Sequence, residues 1–200
     1  MLGLVLMGAI ASCSEVDVVG AYDNWQEKNE AYCDSLLRVA GTNLFSTPSD
    51  TAKVDAMPLG TLFAIQTRVS TTEEKQYVFC KKLTATEGRH PLYTEVVSVF
   101  YCGSYLTGDV FDSNFAGYVA TDAVLDGEAK LPEVYDTPTA LPVSSWIDGW
   151  VSALQYMRRG ERWMFYVPYQ SGYGAKPASG VNVLGYSTLM FDVILSEIAD

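Results

Sequence analysis

One histidine, four cysteines and 13 basic side chains are all that this 200-residue sequence holds of the groups most enzymes rely on. His90 stands in a polar turn beside Arg89 and Pro91, and no G-x-S-x-G occurs, so a Ser-His-Asp hydrolase has no residues to run on. His90 reads as a solvated loop residue. No G-K-[ST] is present and no G-x-G-x-x-G opens a helix, so Gly172, Gly174 and Gly180 read as turn glycines and not as a phosphate cradle. The 24 acidic residues outnumber the basic ones to a net charge of −11, which repels phosphate backbones and excludes nucleic acid as a partner. The cysteines show no C-x-x-C spacing, which argues against zinc; with Cys13 set aside, Cys33, Cys80 and Cys102 allow at most one disulfide, between an undetermined pair. No apolar run reaches the ~20 residues of a membrane-spanning helix.

What is present begins with export. Residues 1–11 are apolar and close on small residues, the pattern of a cleaved secretory signal over 1–12. Ile10-Ala11-Ser12-Cys13 resembles the bacterial lipoprotein box, in which the cysteine becomes the lipidated first residue. Acyl chains on Cys13, at ~0.8 kcal/mol per buried methylene, would hold the protein on a membrane surface without a spanning helix. An ordinary signal with a chance cysteine is the alternative. At 48% hydrophobic and 18% charged, the remainder suits one main folded domain.

Trp25, Tyr32, Leu36 and Val39 recur at helical spacing, with Asn24 and Glu27 placed as a capping box and Gly41 as the stop, which predicts an amphipathic helix whose stripe serves packing. Residues 41–59 read as an irregular wrap. Alternating β-branched and aromatic residues over 61–69, 76–82 and 95–106 predict half-buried antiparallel strands, with Val97, Val99 and Tyr101 on one face. Residues 116–140 look inserted. Within them Asp122, Asp126, Gly127 and Glu133 have calcium-loop spacing, yet Val124 and Lys130 occupy ligand positions, so a solvated acidic loop accounts for the charges and no metal or other cofactor is expected. Ile147, Trp150, Val151, Leu154 and Met157 predict a short buried helix, with Arg158 and Arg159 at the negative end of its dipole and Gly160 ending it. Two more alternating strands, 162–167 and 188–198, complete an α+β order.

Five ordered blocks carry a resemblance: VSVFYCG (97–103), VFDSN (110–114), WIDGW (146–150), GERW (160–163) with Val167-Pro168 and Gly172-Tyr173-Gly174, and STLMFDV (187–193). Over about 76–198 the chain resembles the FKBP-type peptidyl-prolyl cis-trans isomerases. The resemblance implies a curved antiparallel sheet wrapped around a short helix, here with an extra N-terminal helix, and divides the chain into a lipoprotein-type signal (1–12), a helix and linker (13–60) and an FKBP-like domain (61–200).

It also implies a pocket. Tyr101, Phe111, Ile147 and Phe191 would form its walls, Trp150 its floor, Trp146 and Val183 its rim, with Asp112 and Tyr173 beside it and the Ile147 N–H as a donor to substrate. Asp112, Tyr173 and Tyr101 are then the expected catalytic groups and proline-containing polypeptides the expected substrates, on an exported, lipid-anchored protein of unspecified oligomeric state. Trp146 stands where the family has an aliphatic residue, Val183-Leu184-Gly185 where it has Ile-Pro-Pro, and Thr139 near an expected aromatic. These departures leave a second reading, a catalytically weak peptide-binding or chaperone module.

Overall fold

The computed structural model describes residues 20–46, 48–71, 73–118, 130–177 and 179–199. The signal segment, Cys13 and the acidic residues Asp122, Asp126 and Glu128 lie outside them. Strands β1 (Leu44–Phe45), β2 (Leu62–Gln66), β3 (Tyr77–Lys82), β4 (Val96–Ser104), β5 (Val110–Ser113), β6 (Thr139–Pro142), β7 (Arg162–Val167) and β8 (Leu189–Ile198) form one sheet in the order β1-β2-β3-β7-β8-β4-β5, with β6 also on β4. Helices α1 (Trp25–Ala40), α2 (Thr51–Asp55) and α3 (Asp148–Leu154) complete the α+β architecture.

The sheet is not wholly antiparallel: β1 runs parallel to β2, in register Leu44↔Ala64 and Phe45↔Ile65. A parallel pair needs a crossover between its strands. The stretch read as an irregular wrap supplies it, carrying a 3-10 turn and α2. Likewise the segment read as an insertion ends in β6, which pairs with β4 from Val96↔Pro142 to Val99↔Thr139.

Strand β7, RWMFYV, is buried at every position and not at alternate ones. Its odd-numbered residues Trp163, Phe165 and Val167 join the main core beneath α3, while Met164 and Tyr166 join a second cluster with Leu36 and Ala40 of α1. The N-terminal helix thus covers the sheet face that an α+β domain otherwise leaves to water. α1 docks through Asn29, whose Oδ1 accepts the Thr188 N–H at 2.6 Å and whose Nδ2 donates to the Trp25 carbonyl at 2.7 Å, so a fully buried amide is satisfied. Val39, expected on the buried stripe, is 70% exposed. The capping box does not form either: Asn24 takes a left-handed φ of 52° with no side-chain cap, because the chain enters from the Gly20–Asp23 turn.

α3 is shorter than its stripe suggested and ends at Leu154, so Arg158 and Arg159 do not cap it. Arg158 instead pairs with Asp55 of α2 at 2.6 Å, and Arg159 with Glu197 at 3.3 Å. Gly149 lets the helix approach β7, since a Cβ there would lie 2.6 Å from Val167 Cγ1. His90 is not a free loop residue: Nδ1 lies 3.1 Å from the Met157 carbonyl and Nε2 3.3 Å from Asp55 Oδ2. Asp55 therefore ties α2 to two points of the domain. Cys33, Cys80 and Cys102 are free thiols. Among the described residues no helix is long and apolar enough to cross a membrane.

Candidate active site

Period-two alternation sends Tyr101 of β4 and Phe191 of β8 toward α3, and antiparallel pairing sets Gly103 opposite both Phe191 and Asp112. Gly103 is required there. A Cβ on it would stand 2.7 Å from Phe111 Cζ and 2.8 Å from Phe191 Cε1, so the absent side chain makes room for two rings. Phe111 and Phe191 then meet edge to face, 5.5 Å apart at 85°.

From the helix side Trp150, 1% exposed, meets Phe191, Phe165 and Tyr101 at 5.0, 5.5 and 5.6 Å, each near perpendicular. The result is a cavity of about 270 Å³ lined by Tyr101, Phe111, Asp112, Trp146, Ile147, Trp150, Tyr173 and Phe191 together with Leu141 and Ser145. Eight of the residues expected from the sequence are thus brought together. Val183 is not among the lining residues; it packs, half-buried, against the main core. Leu141 was missed because it sits on β6, where four residues show no periodicity, and Ser145 because nothing marks it except its neighbour Trp146.

Trp146 does more than narrow the rim. Its indole stacks on Trp150 with centroids 4.6 Å apart and planes 13° from parallel, so one face of the floor ring is already covered. Both indole N–H groups are buried without an acceptor among the described residues.

The polar groups gather on one side. Tyr101 O–H donates to Asp112 Oδ2 at 2.7 Å. Asn114 braces the pair from beneath, its Oδ1 accepting the Tyr101 N–H at 2.7 Å and its Nδ2 donating to Val99 O and Thr139 Oγ1. Burial, then the bonded Asp112 carboxylate, pushes the Tyr101 phenol well above its ordinary value; burial, then the Asp112 charge, also raises Tyr173. Both rings stay protonated donors. Tyr173, 36% exposed, makes no hydrogen bond among the described residues. Ile147, immediately before α3, uses its carbonyl to accept the Val151 N–H, while its own N–H finds no acceptor among them. Two donors and an apolar hollow therefore wait unpaired around an aromatic floor. That arrangement suits a neutral ring flanked by carbonyl groups, and among the described residues no cluster of His, Cys, Asp or Glu is suited to hold a metal.

Comparison with known proteins gives the same family. The sequence is 36% identical over 112 residues to the FKBP-type 22 kDa peptidyl-prolyl cis-trans isomerase of Escherichia coli (strain K12), covering 56% of this chain and 45% of that one. It is 32% identical over 123 residues to the macrophage infectivity potentiator of Trypanosoma cruzi (62% and 53%), and 30% over 118 residues to the outer membrane protein MIP of Legionella longbeachae (59% and 42%). The chain spans about half the length of these curated relatives. Among solved structures it is similar to FkpA from Escherichia coli, with 20% identity and a TM-score of 0.47 over 88% of this chain and 70% of that one. Residues 88–196, more than half of the sequence and all of the cavity lining, match the family model, so the chain belongs to the FKBP-type peptidyl-prolyl cis-trans isomerase family.

Proposed function

We propose that the protein catalyses cis-trans isomerisation of X-Pro bonds in exported polypeptides, without forming or breaking a covalent bond. The observation that carries the reading is the aromatic hollow of about 270 Å³ with unpaired donors at Ile147 N–H and Tyr173 O–H. Rotation about an X-Pro bond is opposed by ~20 kcal/mol because the nitrogen lone pair conjugates with the carbonyl, and uncatalysed exchange takes tens of seconds. At the half-turned amide that conjugation is lost and the group is less polar, so a dry ring-lined site tolerates it better than either planar form. Proline against Trp150, Phe111 and Phe191 holds one side of the bond; the two donors hold carbonyls on the other. Each ~1.4 kcal/mol gained only in the twisted state raises the rate tenfold. Asp112 orients Tyr101 electrostatically and need not move a proton.

The test is cis-trans exchange of a short X-Pro peptide. Acceleration over buffer is expected, and a rate equal to buffer refutes the reading. One observation favours the alternative of a catalytically weak peptide-binding module: Trp146 already occupies a face of Trp150. That reading predicts peptide binding that survives Asp112→Ala and Tyr173→Phe, with little exchange in any version.

The same reading puts the protein on the cell envelope, exported by the signal over 1–12 and lipidated at Cys13. Support comes from the lipobox-like Ile10-Ala11-Ser12-Cys13 and from a relative named as an outer membrane protein. Cys13→Ala is expected to move the protein from the membrane fraction to the soluble one. Wild-type protein found wholly in detergent-free soluble fractions would exclude the anchor.

A further inference from the structure

The aromatic hollow is not the larger cavity. A second one, about 740 Å³, takes Ser152 from the same α3 that gives Trp150 to the first, and Gln155 from directly after that helix. It forms between two parts of the chain: Ser46, Thr51, Ile65, Gln66 and Arg68 come from before the family-matched region, and the rest of its lining from within it.

The two cavities are neighbours across residues 144–148, of which Ser145, Trp146 and Ile147 line the aromatic one. At one end the Ser144 N–H bonds at 3.0 Å to the carbonyl of Tyr93, a lining residue of the larger cavity, while the next residue, Ser145, lines the aromatic one. At the other, Arg68 of the larger cavity holds Asp148 at 2.6 Å, directly after Ile147.

The lining indicates what fits. It contains no carboxylate, and its two basic groups are already engaged, Arg68 by Asp148 and His90 by Asp55. In a protein of net charge −11 this is a neutral surface. Leu92 is 65% exposed and Tyr93 42%, Ile65 and Pro91 add further apolar surface, and the other groups are hydroxyls and carboxamides of the kind that pair with peptide N–H and C=O groups.

We propose that the larger cavity is a docking subsite for the unfolded polypeptide whose proline occupies the aromatic hollow, taking an uncharged stretch a few residues from the proline. It rests on the isomerase reading, and it makes the N-terminal segment part of substrate recognition. The subsite increases affinity for long unfolded clients and adds nothing for short peptides.

Two substrates test it: a short X-Pro peptide, and the same X-Pro centre flanked on each side by uncharged apolar residues. Wild type is expected to show kcat/KM about tenfold higher on the long one, equal to ~1.4 kcal/mol. Leu92→Asp and Thr94→Glu, both exposed, are expected to erase most of that advantage through KM and to leave the short peptide within about twofold of wild type. Equal kcat/KM on both lengths in wild type overturns the subsite and leaves the isomerase intact. Failure to accelerate the short peptide refutes the isomerase instead. In that case anisotropy of a labelled, proline-free long peptide decides the subsite, since binding weakened by Leu92→Asp supports it and no binding overturns it. A fall in molar mass of Leu92→Asp in solution also overturns it, by making the cavity a contact between two copies of the chain.

Discussion

Removing the carboxylate that Tyr101 reaches at 2.7 Å separates a structural hydrogen bond from a catalytic one. A hydrogen bond to a charged acceptor contributes about 1.5–3 kcal/mol when dry. Asp112 is exposed, so in the free protein water screens this bond to about 1 kcal/mol or less. Asp112→Ala should therefore lower Tm by no more than about 2–4 °C. The ring of Tyr101 does not depend on Asp112 for its place, being held edge-on by Trp150 at 5.6 Å and Trp146 at 6.3 Å. What Asp112 controls is where the hydroxyl points and the charge beside it. With substrate seated, water leaves the cavity and the pair approaches its dry strength; if it favours the twisted amide by about 1.5–3 kcal/mol, its loss slows exchange about 10- to 150-fold. The assay is exchange of a short X-Pro peptide by wild type, Asp112→Ala, Tyr101→Phe and the double variant, with thermal melts of each. Because the two act as one unit, the double variant should be no slower than the worse single one. Rates within twofold of an accelerating wild type in all three, alongside the expected small fall in Tm, would refute the catalytic role of this pair.

Rotation catalysis with Tyr101 and Tyr173 both raised above their ordinary value predicts that kcat/KM stays level from pH ~6 to ~9; a unit slope anywhere in that span, measured with the short peptide, contradicts it. Asp192 is fully buried and receives two hydrogen bonds from Arg162 and one from the Tyr118 N–H, so Asp192→Ala strands a guanidinium held between Phe115 and Tyr118 and should cost about 3–5 kcal/mol in urea unfolding. The paired change Arg162→Met with Asp192→Leu should recover most of it, and a single variant as stable as wild type would refute the argument. Burial raises the Asp55 carboxyl, but Arg158 and His90 outweigh this and hold it below its ordinary value. A depressed carboxylate contributes stability that is complete above the unfolded value of ~3.9 and disappears as pH falls through the lower folded value. The Tm gap between wild type and Asp55→Asn should accordingly close in that acid window, and a gap unchanged down to pH ~2 would exclude the effect.

Much of the site was legible because five short blocks in order carry the resemblance to the FKBP-type isomerases. VSVFYCG is a period-two strand that puts Tyr101 on one face with Val97 and Val99, and WIDGW places Ile147 directly before the helix that carries Trp150. The elements that escaped were short or defined by their partners. β1 has two residues and β6 four, too few for a period, and each exists only through hydrogen bonds to a strand distant in sequence. Arg158 and Arg159 have helix-end spacing, but the carboxylates they join, Asp55 and Glu197, come from α2 and β8.

The sequence by itself determined the α+β order, through side-chain type and local periodicity, and it pointed to the class of chemistry and to the rings around Trp150 through the resemblance of five ordered blocks to the FKBP-type isomerases, since both are properties of a chain read in one dimension. Tertiary structure alone decided that α1 buries the second face of β7, that Trp146 lies flat on Trp150 and that a neutral cavity opens between the N-terminal segment and α3. Each of these is a contact between surfaces far apart in the chain, set by shape, by burial and by the satisfaction of buried polar groups such as Asn29, none of which has a one-dimensional signature.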